Sequence, residues 1–342
     1  MSKISFKNDY SEGAHPYILE QLGKTNLEQQ SGYGDDEYSE HAKALIQEKT
    51  GNLDAKIYLT SGGTQANLLV ISHLLRPYES VISANTGHIA VHETGAIEAT
   101  GHKVNLVNSI NGKIDLQEIR ETVISHNDEH MVKPAMVYIS NATELGSVYT
   151  KAELTELSDF CRQNNLLLFM DGARLGAALT SAENDLTLPE IAQLVDVFYI
   201  GGTKNGALLG EAIVFIKKGL DAGFKYHLKQ KGALLAKGRI LGIQVLSLFQ
   251  KDLWLQLAQH SNTVAEKIAE AFKVRGFNFF IPPQSNQIFP ILPNALVEKL
   301  HEKFDFYTWY KVDENHSAIR IVTSWATKEE NVEKLIECIS NR

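Results

Sequence analysis

Two side chains in this sequence have the types and setting that amine and aldehyde chemistry requires. Asp171 follows the apolar run at 166–170, and Lys204 follows the apolar run at 195–200. Both runs are short, bounded by glycine and separated by a helix-sized interval, which is the pattern of adjacent buried strands in a parallel sheet. An acid and a lysine are thus delivered to strand ends, where open α/β sheets place their ligand sites. A pyridoxal 5'-phosphate (PLP) enzyme needs a lysine to form an aldimine with the cofactor aldehyde. It also needs a carboxylate to keep the pyridine nitrogen protonated, so that the ring accepts electrons. Taken singly, Asp171 reads as a helix cap and Lys204 as a solvated loop lysine. The pair, together with the features below, favours the cofactor reading.

Other stretches must position that pair. A strand at 56–60 runs into Ser61-Gly62-Gly63-Thr64 and then a helical run that ends before Pro77. A strand, a turn of small residues and a helix N-terminus form an anion site, because free N–H groups and the helix dipole both favour phosphate. A tight turn explains the glycines equally well, and the order does not fit a Walker loop, which needs Gly-Lys followed by Ser or Thr. After a strand at 80–83, His88 opens another helix with His92 four residues on, an i,i+4 pair that could hold a metal. No third ligand is signalled and His-Glu-x-x-His is absent, so no metal is assigned. Strands at 134–140 and 211–216 extend the sheet. Thr150 and Glu153 form a capping pattern for the helix leading to the central strand. Beyond a helix at 240–249 and a long amphipathic one at 253–272, short strands at 277–281, 287–292, 306–312 and 317–322 alternate with helices at 294–304 and 328–340. That alternation predicts a compact α+β unit.

Met170-Asp171-Gly172-Ala173-Arg174 and Gly201-Gly202-Thr203-Lys204-Asn205-Gly206 resemble the threonine aldolases and phenylserine aldolases, in the aromatic amino acid β-eliminating lyase/threonine aldolase group of fold-type I PLP enzymes. The resemblance runs from Asn8-Asp9 to Arg320. It implies an α/β fold of the PLP-dependent transferase type, with a mostly parallel central sheet and a small C-terminal domain, divided as an arm over 1–40, a large domain over 41–250 and a small one over 251–342. It implies PLP joined to Lys204 as an aldimine and ring contacts from His88, Asp171 and Thr203. Phosphate contacts from Gly63 and Thr64 follow as well. Lys237 or Arg239 would meet the phosphate across a dimer interface; the sequence leaves both open, and a solvated turn is the other reading of that basic loop. Arg174 and Arg320 are implied as ligands of the substrate carboxylate, with Asn8 beside them where many relatives have serine. His88 is also a candidate for handling the β-hydroxyl proton. His92 would touch the β-substituent or pack, and Tyr33 would approach a neighbouring subunit's cofactor or anchor the arm. Where many threonine aldolases carry Glu-Asn-Thr-His-Asn, this chain has Ser140-Asn141-Ala142-Thr143-Glu144, closer to the phenylserine aldolase branch. Glu144 is either a site residue or a helix-side acid.

The expected activity is cleavage of threonine, allo-threonine or phenylserine to glycine and an aldehyde. A β-eliminating lyase or an aminotransferase would share Asp171 and Lys204 but act on another bond. A non-catalytic phosphate-binding protein would keep the turn at 61–64 without needing the lysine. With 342 residues, 44% hydrophobic and 22% charged, the chain can bury a large core. A formal charge of −8 argues against nucleic acid, whose phosphates demand basic surface. Cys161 and Cys338 form no disulfide or zinc spacing, and no apolar run reaches membrane length, so a cytoplasmic enzyme is expected. The resemblance adds a homo-oligomer, dimer or tetramer, with shared active sites and an amino acid as substrate.

Overall fold

In the computed structural model, which describes residues 3–340, seven strands make the central sheet. The first two positions of the expected arm and the last two of the expected small domain lie outside the described residues. The strands are β1 (Lys56–Thr60), β2 (Glu79–Ala84), β3 (Val104–Val107), β4 (Lys133–Ser140), β5 (Leu167–Asp171), β6 (Val197–Gly201) and β7 (Glu211–Phe215). Their spatial order is β1-β7-β6-β5-β4-β2-β3. Only β7 runs against its neighbours; all other pairs are parallel. The mostly parallel sheet is therefore as expected, with β7 as its one reversed strand and β3 as an edge strand that the sequence reading did not place.

Both faces of the sheet are buried, which is why its strands read as continuous apolar runs. Leu168, Met170, Phe198 and Ile200 point into one core cluster. Phe169, Val197 and Tyr199 point into the other. Because side chains alternate along a strand, Asp171 shares the face of Phe169. The helix Gly63–Leu74 covers that face, burying Ala66, Leu69, Val70 and Ile71 against it.

Local signals held where they were strong. Thr150 caps the helix Lys151–Gln163 in a reciprocal capping box with Glu153. The segment opened by His88 is instead a single turn, His88–Val91.

The C-terminal part is built on a second sheet, in which strand His316–Val322 pairs antiparallel with Gln287–Ile288, Ile291–Pro293 and Tyr307–Lys311. The expected strand at 277–281 is reduced to an isolated bridge between Phe279 and Pro290. The helix Leu253–Val274 joins the two parts: Trp254 and Leu257 belong to the large core, Val264, Ile268 and Phe272 to the small one. The N-terminal arm is not loose. Ile4–Ser5 adds a parallel pair to Phe304–Asp305, and Phe6 is buried in the small core. No helix among the described residues is long and apolar enough to cross a membrane.

Candidate active site

Asp171 sits at the end of β5, in register with Ser140 of β4. Tyr138 of β4 and Tyr199 of β6 share its face and turn their hydroxyls onto it. Oδ2 accepts from the Tyr138 hydroxyl at 2.6 Å and Asn67 Nδ2 at 3.0 Å; Oδ1 accepts from the Tyr199 hydroxyl at 2.5 Å and the Ala173 amide at 2.9 Å. The side chain is only 3% exposed. Burial pushes the carboxyl up, but His88, the two phenols and the Ala173 amide together hold it below its ordinary range. A full negative charge is thereby kept in a nearly dry place. The chain leaves β5 through Gly172, where a Cβ would lie 1.8 Å from the Tyr199 carbonyl oxygen.

Lys204 follows β6 in a short 3-10 turn, Thr203–Asn205. Glu211, the first residue of β7 and the register partner of Gly201, fixes that turn from below. Its carboxylate accepts from the Gly202 amide at 2.9 Å and the Thr203 hydroxyl at 2.8 Å. Burial pushes the Glu211 carboxyl up to about 7. The Lys204 ammonium is driven down by burial and by the Arg174 guanidinium, only partly offset by Asp9 and Asp171. Such an amine is more readily neutral, as a nucleophile must be.

The turn at 61–64 lies at the same cavity. Gly62 precedes the helix Gly63–Leu74 without any side-chain cap, so the first amides of that helix have no intrahelical partner. A Cβ at Gly63 would come within 2.8 Å of the Tyr199 hydroxyl, the group that also holds Asp171. Gly63, Thr64, Asp171, Thr203, Lys204 and His88 all line one cavity of about 270 Å³. It adjoins a second of about 410 Å³, lined by His92, Tyr307, Thr308, Trp309 and Arg320. Uncapped amides, a buried ionised carboxylate and a depressed amine around one chamber fit the phosphate, ring nitrogen and aldehyde of PLP.

His88 is anchored by its Nδ1, 2.7 Å from Glu93 Oε1. The same oxygen accepts from Asn67 Nδ2 at 2.7 Å, so Asn67 bridges Glu93 and Asp171. An acceptor-only carboxylate at Nδ1 makes that nitrogen the N–H donor. The His92 ring lies 5.5 Å from the His88 ring and faces the outer cavity.

The two arginines differ. Arg174 was expected to be open for a carboxylate, but it forms a two-pronged pair with Asp9 of the arm, Nε to Oδ2 at 2.7 Å and a terminal nitrogen to Oδ1 at 3.0 Å. Asp9 also accepts from Asn286 at 3.0 Å. Although burial pushes the Asp9 carboxyl up, Arg174 and then Lys204 pull it down to about 2. Arg174 keeps only its remaining N–H groups for a ligand. Arg320 donates to Gln287 Oε1 at 2.6 Å and lies 5.6 Å from the Trp309 ring centroid. Its Nε is buried with no partner, and no carboxylate among the described residues pairs with it. Burial and the neighbouring Arg174 depress it to about 10. A half-buried cation with an unpartnered N–H is completed by an anion.

Four expected site residues are not brought to these cavities within one chain. Asn8 turns its Oδ1 back onto the Tyr10 amide at 3.0 Å and the Ser11 hydroxyl at 2.9 Å, and Tyr10 lines the cavity in its place. Tyr33 is 44% exposed under the Lys229 ammonium. Lys237 is exposed, and Arg239 is spent on the carbonyls of Thr25 and Glu28 in the arm. Asp9, Tyr10, Asn67, Glu93, Tyr138, Tyr199 and Glu211 were not singled out from the sequence. Only the acids at strand starts or turns, Asp9 and Glu211, carried any local signal.

Comparison with known proteins agrees with this chemistry. The beta-eliminating lyase family model matches residues 11–293. The chain belongs to the beta-eliminating lyase and threonine aldolase family. Within it, the chain is similar to a low specificity L-threonine aldolase of a Pseudomonas species, 34% identical over 96% of this chain and 95% of that protein. It is also similar to the solved threonine aldolase of Leishmania major, with 44% identity, 98% of each chain covered and a TM-score of 0.97. Thermus thermophilus aspartate aminotransferase, at 13% identity and a TM-score of 0.73, shares the fold alone. Members of this family are PLP-dependent lyases, and this chain is one, with the fold of the type I PLP enzymes.

Proposed function

We propose that this lyase cleaves β-hydroxy-α-amino acids, threonine, allo-threonine or phenylserine, to glycine and an aldehyde. The observation that carries the reading is Arg320: a half-buried guanidinium with no ion-pair partner among the described residues and a buried, unpartnered Nε, at the wall of a chamber that adjoins the one lined by Lys204 and Asp171. The similarity to threonine aldolases supports the same substrate class.

Lys204 is the amine to which the cofactor aldehyde would attach. The free amides of Gly62 to Thr64 would hold the phosphate, Asp171 would keep its charge toward the ring nitrogen, and His88 would form a wall of the cofactor chamber. What bound PLP supplies is a sink for the electron pair released at Cα. Arg320, with the open edge of Arg174, holds the substrate carboxylate and so sets which bond to Cα is aligned for cleavage. Tyr10, Tyr307 and Trp309 leave room for an aromatic β-substituent in the outer chamber. Tyr33, Lys237 and Arg239 do not line these cavities, and in a homo-oligomer Tyr33 and either Lys237 or Arg239 would serve the site of a second copy.

The direct test is to incubate the PLP-loaded protein with each of the three amino acids and measure glycine and aldehyde. Formation of a keto acid without glycine would place the chain among the β-eliminating lyases or aminotransferases instead. Arg320→Gln lowers kcat/KM for threonine about 10- to 100-fold, since hydrogen bonds to a charged group contribute roughly 1.5–3 kcal/mol. Steady-state kinetics checks this, and weaker binding of glycine in a titration accompanies it.

A further inference from the structure

Five residues border both chambers: Tyr10, His88, Glu144, Arg174 and Lys204. If the inner chamber takes the cofactor and the outer one the substrate, these residues surround the passage where Cα and Cβ must sit. Arg174 is held by Asp9, and Lys204 is the attachment amine. Tyr10 is 54% exposed. Two groups remain that can accept a proton there, His88 and Glu144; with Nδ1 donating to Glu93, His88 could accept only through Nε2, and its ring is the wall that would lie against the cofactor.

Glu144 is fixed by one oxygen and open at the other. Its Oε1 accepts from the Ser140 hydroxyl at 2.6 Å and the His88 backbone amide at 2.8 Å. No other described residue donates to Oε2. A carboxylate immobilised through one oxygen and presenting the second to a substrate chamber has the geometry of a positioned base.

We propose that Glu144 is a catalytic residue of this site, its Oε2 taking the β-hydroxyl proton of the substrate as the Cα–Cβ bond breaks. The O–H electron pair becomes the second bond of the aldehyde carbonyl, and the Cα–Cβ pair stays with Cα. The Lys204 ammonium returns a proton to Cα to give glycine, Glu144 releases its own to cavity water, and Lys204 regains one there. The count closes with no oxidant, reductant or co-reactant.

The electrostatics agree. Burial, opposed in part by the Ser140 hydroxyl and reinforced by Asp171, raises the Glu144 carboxyl above its ordinary range. Asp171 is held below its own. Two carboxylates in one site whose acidities are driven apart take separate roles, one permanently charged and one exchanging protons.

This assignment rests on the function proposed above. The experiment compares wild type, Glu144→Gln and Glu144→Ala as PLP-loaded enzymes with equal melting temperatures. Three quantities are read: phenylserine cleavage, exchange of the glycine α-proton in heavy water by NMR, and the glycine dissociation constant from cofactor absorbance. Glu144→Gln keeps the acceptor for Ser140 and His88 but is no base, so cleavage falls about 10²- to 10⁴-fold while exchange and binding stay within about threefold. Added formate restores part of the cleavage in Glu144→Ala. The assignment is overturned if cleavage falls less than about tenfold, or if exchange and binding fall in step with it. Wild type that releases no glycine from any of the three amino acids overturns the proposed function itself, a result distinct from either.

Discussion

Lys204→Ala lowers the rate of aldehyde release from threonine by at least about 10³-fold, because the chain then has neither an attachment amine nor a proton donor at Cα. No other lysine among the described residues lines the inner chamber, so none of them can take over. Borohydride reduction followed by mass spectrometry gives the structural half of the result: wild type gains covalent cofactor and Lys204→Ala gains none. Folding does not suffer. Burial and Arg174 disfavour the charged amine while Asp9, Asp171 and Glu211 favour it, so these effects oppose one another and the variant apoprotein melts close to wild type. Cleavage above about a tenth of the wild-type rate would refute the assignment of Lys204.

Asp171→Asn has a comparable effect by another route. The carboxylate accepts four hydrogen bonds through two oxygens, from Tyr138, Tyr199, Asn67 and Ala173. An asparagine of the same size turns an NH2 group toward two of those donors. The unmet pairs cost roughly 2–4 kcal/mol of stability, measurable by urea unfolding. The negative charge at the ring nitrogen is lost as well, and kcat falls about 10²- to 10³-fold, the range found when one preorganised electrostatic group is removed. The pH dependence has a definite sign. Because the folded-state acidity of Asp171 lies below the ordinary 3.8, the carboxylate contributes stability above that pH, and the contribution is lost as pH falls through the folded value. The substituted protein lacks this part of the acid transition, and unfolding curves collected from neutral to acid pH check it.

What could be read locally was read correctly from local physics. Apolar runs at 166–170 and 195–200 have the length and glycine boundaries of buried strands in a two-faced sheet, and chain polarity then puts Asp171 and Lys204 at the same edge. The Thr150 and Glu153 box, and the glycine turn before the helix at 63, were equally legible, because each depends on residues within one turn of one another. The segment 277–281 differs for the opposite reason: Phe277 and Phe279 pack against the small core but the chain pairs only through the bridge from Phe279 to Pro290, and the extent of pairing is not a property of the segment itself.

The tertiary structure decided everything that depends on distant partners. Arg174 and Asp9 are 165 residues apart, and nothing near either one announces that an arm pinned at Ile4–Ser5 will carry a carboxylate to that guanidinium. Glu211 acts beneath Lys204 only because β7 runs antiparallel to β6, which the apolar pattern of a doubly buried strand cannot reveal. Glu144 faces the chambers only because Ser140 and the turn at His88 converge on it from two strands. The sequence by itself determined which chemical groups stand at the strand ends, since hydrophobic periodicity and turn chemistry act over a few residues. Which of those groups are neutralised, which are left exposed to a ligand and which are displaced from the site was decided by three-dimensional packing, because charge and hydrogen-bond pairing respond to distance in space and not to separation along the chain.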